Sequence, residues 1–346
     1  MAKVKLSHLP RNGPAGQEGL SYWVRRGDLF LVFVNTLWSG LGGEGHVETV
    51  WLKGVLSENA DARHKLVIGH HPVHPVNGFS GAYQREIGPE YAGPFWDVLV
   101  TEGVLAYICS HILAYDAQVH CGVLQLCTAG AGTAHRMPEG VEYLHCVQAA
   151  LDAEGLRCQV LDTAGQVRER LSWPICLPPA AIWEKLPAGS QPARVAPGSV
   201  AGRIAAFRFA GSTASSGHCA PQTLFSAHQS GGMSRLWIGL RGPEQVLTVM
   251  LAPETGRSPH YWLGPSLAPG VRFDLQLLVH AGMGPGGIML RAGEDRPWSS
   301  LAAASPWGAE RLIWPGFWAI GCGPAGTEDR PFLGADLVSS LAMVEQ

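Results

Sequence analysis

Six prolines crowd residues 171–198, at positions 174, 178, 179, 187, 192 and 197, and no hydrophobic period runs across them. Proline fixes φ and removes a backbone donor, so neither a helix interior nor a central strand passes through such a stretch. The chain is therefore broken into two bodies of different texture. Before the break, short apolar runs alternate with helical spacing; after it, strand-like runs recur alone. A length of 346 residues suits about two domains. The expected boundaries are 1–173 for the first, 174–198 for a Pro-rich linker and 199–346 for the second.

In the first body, Leu29–Val34 is a buried-strand run that ends at Asn35-Thr36. Residues 45–58 space Val47, Val50, Trp51, Val55 and Leu56 as a helix would. A strand over 65–68 runs into Gly69-His70-His71-Pro72. Residues 77–93 show no apolar period and read as a long loop. Gly93-Pro94 opens a short helix over 95–102, and a strand over 104–109 ends at Ser110-His111. Short β-runs at 118–128, 142–151 and 156–162 follow. The expectation is an α/β half-domain with a β-meander. In the second body, runs at 204–209, 222–227, 235–240, 245–251, 272–280 and 287–291 predict an all-β sandwich.

Composition removes several functions. The formal net charge is −3, which does not favour nucleic acid or anionic lipid. No apolar run approaches the roughly 20 residues of a membrane span. Lys3 and Lys5 precede no apolar h-region, so the start does not read as a secretory signal, and a cytoplasmic location is the default expectation. Eight cysteines include no CxxC pair, which argues against a zinc ribbon. Cys109, Cys127 and Cys146 lie in apolar runs and are expected to be buried thiols. Gly284-Pro285-Gly286-Gly287 lacks the Lys-Ser/Thr and helix of a phosphate loop.

Two strand ends that deliver histidines, at His70 and His111, suggest a metal centre at the carboxyl edge of a sheet, where open α/β sheets place their chemistry. The order of parts resembles the C-terminal part of a calcineurin-like metallophosphoesterase, the group that includes the purple acid phosphatases. Asn35-Thr36 stands where that family often has Asp-Thr. Glu48-Thr49-Val50-Trp51-Leu52 resembles its Trp-Leu helix. Gly69-His70-His71-Pro72 is similar to its Gly-His-His-Pro loop, and Ser110-His111-Ile112-Leu113-Ala114-Tyr115-Asp116 to its Gly-His-x-His-x-Tyr-Glu loop. Cys127-Thr128-Ala129-Gly130-Ala131-Gly132 resembles the small-residue turn that follows.

The resemblance implies metal-dependent phosphoester hydrolysis, with divalent Fe, Zn or Mn polarising the phosphoryl group. It implies His70 and His111 as metal ligands. His71 and His74 are candidates to contact a phosphate or to support the ligands from behind, and the simpler reading makes them solvent-facing loop histidines. It also carries departures. Leu113 stands where the family has its last His ligand, and leucine coordinates nothing. The family's upstream Asp-x-His, Gly-Asp-x-x-Asp and Gly-Asn-His motifs have no counterpart in this sequence. Little or no hydrolysis is therefore expected, from either a late-starting chain or a degenerate relative. A missing half-domain implies an exposed sheet edge and self-association through it.

His120, His135 and His145 read as structural. Asp116 is a candidate carboxylate partner for an imidazole, and Asp97 is expected in the first turn of the 95–102 helix. The second body resembles a laminin-G or concanavalin-like sandwich through its strand spacing and the closing Pro331-Phe332-Leu333-Gly334. That resemblance implies the alternative function, a non-catalytic module binding a glycan or a protein. Trp298, Trp307 and Trp314, in Pro-rich sequence, are its candidate stacking platforms, with core or rim packing the simpler reading, whereas Trp237 is expected in the core.

Overall fold

The computed structural model describes residues 8–37, 46–79, 86–130, 143–179, 183–192, 203–228, 234–252, 258–304, 317–322 and 330–345. The chain forms two compact units, Met1–Pro174 and Ile175–Gln346.

The first unit opens with β1 (Tyr22–Arg26) and β2 (Leu29–Phe33), followed by α1 (Thr49–Glu58), β3 (His64–Ile68), α2 (Pro89–Thr101), β4 (Ala106–Cys109), β5 (Tyr115–His120) and β6 (Val123–Thr128). These strands make one six-stranded sheet in the order β1-β2-β3-β4-β6-β5. Neighbours β2, β3, β4 and β6 run parallel, and antiparallel β1 and β5 flank them. Leu52, Val55 and Leu56 of α1 and Phe95, Trp96 and Leu99 of α2 are buried in one core with Phe30, Val32, Val67 and Tyr107 of the sheet. Apolar residues at helical spacing explain both helices: each offers one stripe to the sheet. A separate three-stranded antiparallel sheet holds β7 (His145–Asp152), β8 (Gly155–Asp162) and β9 (Val167–Trp173).

The second unit contains β10 (Glu184–Leu186), β11 (Gly189–Pro192), β12 (Arg203–Ser212), β13 (Gln222–His228), β14 (Ser234–Arg241), β15 (Val246–Leu251), β16 (His260–Ser266) and β17 (Arg272–His280). It continues through β18 (Ile288–Ala292), β19 (Ser299–Ser300), β20 (Ala302–Ala303), β21 (Phe317–Ile320) and β22 (Ala335–Glu345). One sheet runs β10-β22-β12-β17-β18-β19 and the other β11-β21-β13-β14-β15-β16-β20. Phe207, Leu275 and Leu341 of the first sheet share a core with Leu236, Val249 and Trp262 of the second, which makes the unit a β-sandwich.

Several expectations are corrected. The chain as a whole is mostly β, with two α-helices among the described residues, less helix than the expected α/β half-domain implies. The segment read as a linker supplies β10 and β11, which pair with β22 and β21. Helix α2 begins at Pro89, inside the expected loop, with Gly88 as its N-cap and Pro94 within it. Proline at the first helical position costs nothing because its missing N–H has no intrahelical partner there. Asp97 is consequently mid-helix and exposed, not in the first turn. The 118–128 run folds back on itself at Cys121-Gly122, both at positive φ (50° and 83°), as a two-residue hairpin turn requires. Beyond β2 the sheet continues with antiparallel β1, which is its terminal strand on that side. Cys109 and Cys127 are buried as expected, but Cys146 is exposed. No helix among the described residues is long and apolar enough to cross a membrane.

Candidate functional site

Because β3 and β4 are parallel neighbours, the loops that leave them emerge side by side at one edge of the sheet. The ladder continues past the strand ends: Gly69 N–H donates to the Ile108 carbonyl (3.0 Å) and Ser110 N–H to the His70 carbonyl (2.9 Å). These bonds bring together two histidines that lie far apart in sequence. His111 Nδ1 and His70 Nε2 share a hydrogen bond of 2.8 Å. The His71 ring lies 4.9 Å from that of His70 and 4.4 Å from that of His111. One ring nitrogen from each of the three falls within 4.8 Å of the others. His71 is buried, and His70 and His111 are more open.

Local sequence chemistry sets this geometry. At Gly69 a Cβ would run into the Tyr107 hydroxyl and lie 3.1 Å from Thr36 Cγ2, so only glycine lets the chain pass over them. The same Tyr107 hydroxyl donates to the His71 carbonyl at 2.6 Å. Complete burial holds the Tyr107 phenol well above its usual pKa, so it stays a donor. His111 has φ 62°, and Ile112 N–H reaches the Ser110 carbonyl across it (2.8 Å), the hydrogen bond of a γ-turn. Such a turn at positive φ is strained, and strain of this kind persists only where surroundings enforce it. The Cys127 thiol provides part of that enforcement: it donates to the carbonyls on both sides of His111, Ser110 (3.3 Å) and Ile112 (3.7 Å).

The structure separates the expected site residues. His70, His71 and His111 converge. His74 packs elsewhere: its ring stacks on His120 with centroids 3.6 Å apart and meets Trp96 edge-on at 4.6 Å. Burial pushes His74 down to about 4 and His120 to about 3, the latter aided by His74, so both are neutral at pH 7. Leu113 lies in the His111 loop and offers no donor. Asp116, buried and pushed up to about 7 by desolvation, reaches an imidazole through an intermediary. Gln118 donates to Asp116 Oδ2 (2.6 Å), and Gln118 Oε1 meets His120 Nε2 (2.7 Å). His145 bonds Thr128 Oγ1 and the Tyr143 carbonyl, a structural role. His135 lies outside the described residues.

Two residues shape the site beyond those the sequence pointed to: Thr36, known there only as part of the Asn35-Thr36 motif, and Gln125. Gln125 is completely buried in β6; its side chain accepts from Val73 and His74 N–H (2.8 and 2.9 Å) and donates to the His74 carbonyl (2.8 Å). A glutamine inside an otherwise apolar strand was the available signal, since a buried amide must find partners.

In the second unit, Trp298 is 7% exposed and stacks under the Arg291 guanidinium (4.6 Å), so it packs rather than presenting an open face. Trp237 is buried as expected, and Trp307 and Trp314 lie outside the described residues. Residues 281–287 form a 3-10 turn in which the Pro285 carbonyl accepts from the Trp262 indole (2.8 Å).

A divalent cation fits the imidazole cluster in kind. His70 and His111 already turn ring nitrogens toward each other with one proton between them, and imidazole nitrogen suits Zn, Fe, Cu or Ni.

No protein-family model and no curated protein matches this chain. Among solved structures, GAP50, the anchor in the inner membrane complex of Plasmodium, is similar at 14% identity and TM-score 0.33, over 46% of this chain and 54% of that one. A purple acid phosphatase from yellow lupin (Lupinus luteus) seeds is similar at 12% identity and TM-score 0.35, over 46% of this chain and 33% of that one. The CBM40 of a Ruminococcus gnavus IT-sialidase, bound to α2,3 sialyllactose, is similar at 12% identity and TM-score 0.30, over 46% of this chain and 88% of that one. The aligned part thus spans about half the length of the Plasmodium anchor and about a third of the lupin phosphatase. Likenesses at these scores decide neither fold nor activity.

Proposed function

We propose that the first unit carries a reduced phosphoester site of the calcineurin-like metallophosphoesterase type, in which His70 and His111 hold one divalent ion beside His71. The observation that carries this reading is the 2.8 Å contact between His111 Nδ1 and His70 Nε2 at the ends of adjacent parallel strands. A bound divalent ion supplies positive charge that polarises a phosphoryl oxygen and acidifies a coordinated water. The chain's own part is to orient the two imidazoles through the backbone bonds at Gly69 and Ser110 and to bring His71 beside them. Two imidazoles make a smaller set than the three or four protein ligands of a hydrolytic or structural metal site. Leu113 adds none, so phosphoester binding outlasts efficient turnover.

Equilibrium dialysis against Co(II), with an aryl-phosphate assay on the same samples, tests this. One ion is expected per chain, lost in His70→Ala and in His111→Ala, with turnover near background. Binding unchanged in either variant, or two tightly held ions with robust turnover, overturns the proposal.

A further inference from the structure

Thr36 follows β2, the strand beside β3, and is 1% exposed. Its hydroxyl oxygen meets three groups of the histidine loop: His70 N–H at 3.3 Å, His71 N–H at 3.2 Å and His71 Nδ1 at 2.8 Å. The roles in this trio are constrained. A backbone amide only donates, and a hydroxyl has two acceptor lone pairs and one hydrogen. The two amides occupy the lone pairs. The hydroxyl hydrogen is then directed at Nδ1, along the shortest of the three contacts. An imidazole that accepts at Nδ1 and is neutral carries its proton on Nε2.

We infer that Thr36 locks His71 in the Nε2–H tautomer, which makes His71 a hydrogen-bond donor to a bound oxyanion and not a third metal ligand. A metal ligand needs a lone pair, and in this tautomer the one ring lone pair, on Nδ1, is taken up by the Thr36 hydroxyl. Such a donor suits a phosphate monoester or inorganic phosphate. Thr36 is a positioning residue that acts through His71. The identity of the anion rests on the phosphoester reading above; the tautomer does not.

The opposite assignment has a structural cost. With Nδ1–H pointing at Thr36, three donors would compete for two lone pairs, and the hydroxyl hydrogen would need another acceptor. Thr36→Ser keeps the hydroxyl, whereas Thr36→Val keeps the shape and removes it.

The test uses the full, metal-free chain labelled with 15N at histidine, in buffer alkaline enough that free imidazole is neutral. Long-range 15N–1H correlation spectra identify the tautomer of each ring. The expected result is Nε2–H for His71 in the native chain and in Thr36→Ser, and a mixture or the opposite tautomer in Thr36→Val. Inorganic phosphate, titrated into the same samples, is expected to bind about tenfold more weakly to Thr36→Val than to the native chain, and Thr36→Ser to stay within about twofold. A native His71 protonated on Nδ1 overturns the inference, even if Thr36→Val fails to fold. So does a Thr36→Val spectrum unchanged at His71, or a native chain that binds no phosphate. A native Nδ1–H with intact Co(II) binding would defeat this inference while leaving the metal site standing. An Nε2–H tautomer without Co(II) binding would do the reverse.

Discussion

The Cys127 thiol donates to the carbonyl of Ser110 at 3.3 Å, so a side chain of β6 holds the backbone immediately before His111. The strained φ of 62° at His111 depends on neighbours of this kind. Cys127→Ala removes the donor and is expected to weaken Co(II) binding about tenfold, while Cys127→Ser, which restores a donor, recovers most of it. Dialysis with the Co(II) absorption spectrum checks this. Equal losses in both variants would show that packing alone matters at this position.

Gly69→Ala is expected to destabilise the first unit by about 2–3 kcal/mol, because its new Cβ must displace the Tyr107 hydroxyl that bonds the His71 carbonyl. Tyr107→Phe removes the oxygen that obstructs. The Gly69→Ala, Tyr107→Phe double variant should therefore lose less than the sum of the single losses. Urea unfolding of the four proteins measures that coupling.

Gln125→Leu leaves two amides and one carbonyl of the 73–74 segment without their partner inside the fold. A loss of about 2–4 kcal/mol is expected, with faster amide exchange at Val73 and His74. Unchanged exchange at those two positions would contradict the role assigned to Gln125.

Four buried groups give the first unit a defined pH dependence. Burial raises Asp116 to about 7 and Glu169 to about 8, so the folded chain holds protons there that the unfolded chain has released. Stability from these two is lost as pH rises toward 7 and 8. Burial lowers His74 to about 4 and His120 to about 3, so between pH 6.5 and those values the unfolded chain binds more protons. Stability from this pair is lost as pH falls below 6.5. The opposing terms predict stability that rises from pH 8.5 to about 6.5, stays level to about 4.5 and then drops. Each displaced pH unit of one group is worth about 1.4 kcal/mol at most. Urea midpoints across that range check the profile, and Asp116→Asn should flatten the part of the rise between pH 7 and 6.5.

Much of this was legible in the sequence, and the remainder was hidden for physical reasons. Strand 65–68 and the histidines at its end were readable because β-branched runs stopped by Gly and Pro admit few alternatives. The start of α2 was not, because Pro94 looks like a helix opener, whereas Pro89 holds that position and buried Phe95, Trp96 and Leu99 carry the helix through Pro94. The hairpin at Cys121-Gly122 escaped notice because cysteine is an unusual residue for a left-handed turn position. The meeting of His70 with His111 followed from the strand order, but the divergence of His74 did not. That depends on a stack with His120, which no local pattern announces.

The hairpin of β5 and β6 supplies Asp116, Gln118 and Gln125, and together these bond the backbone of Val73, His74, Pro75 and Asn77. The shape of the histidine loop is thus stored about 40–50 residues away, in side chains of β5 and β6 and not in the loop's own sequence. Residues 69–77 moved onto another scaffold would take their imidazoles with them and leave the template behind. A working transplant has to include the hairpin.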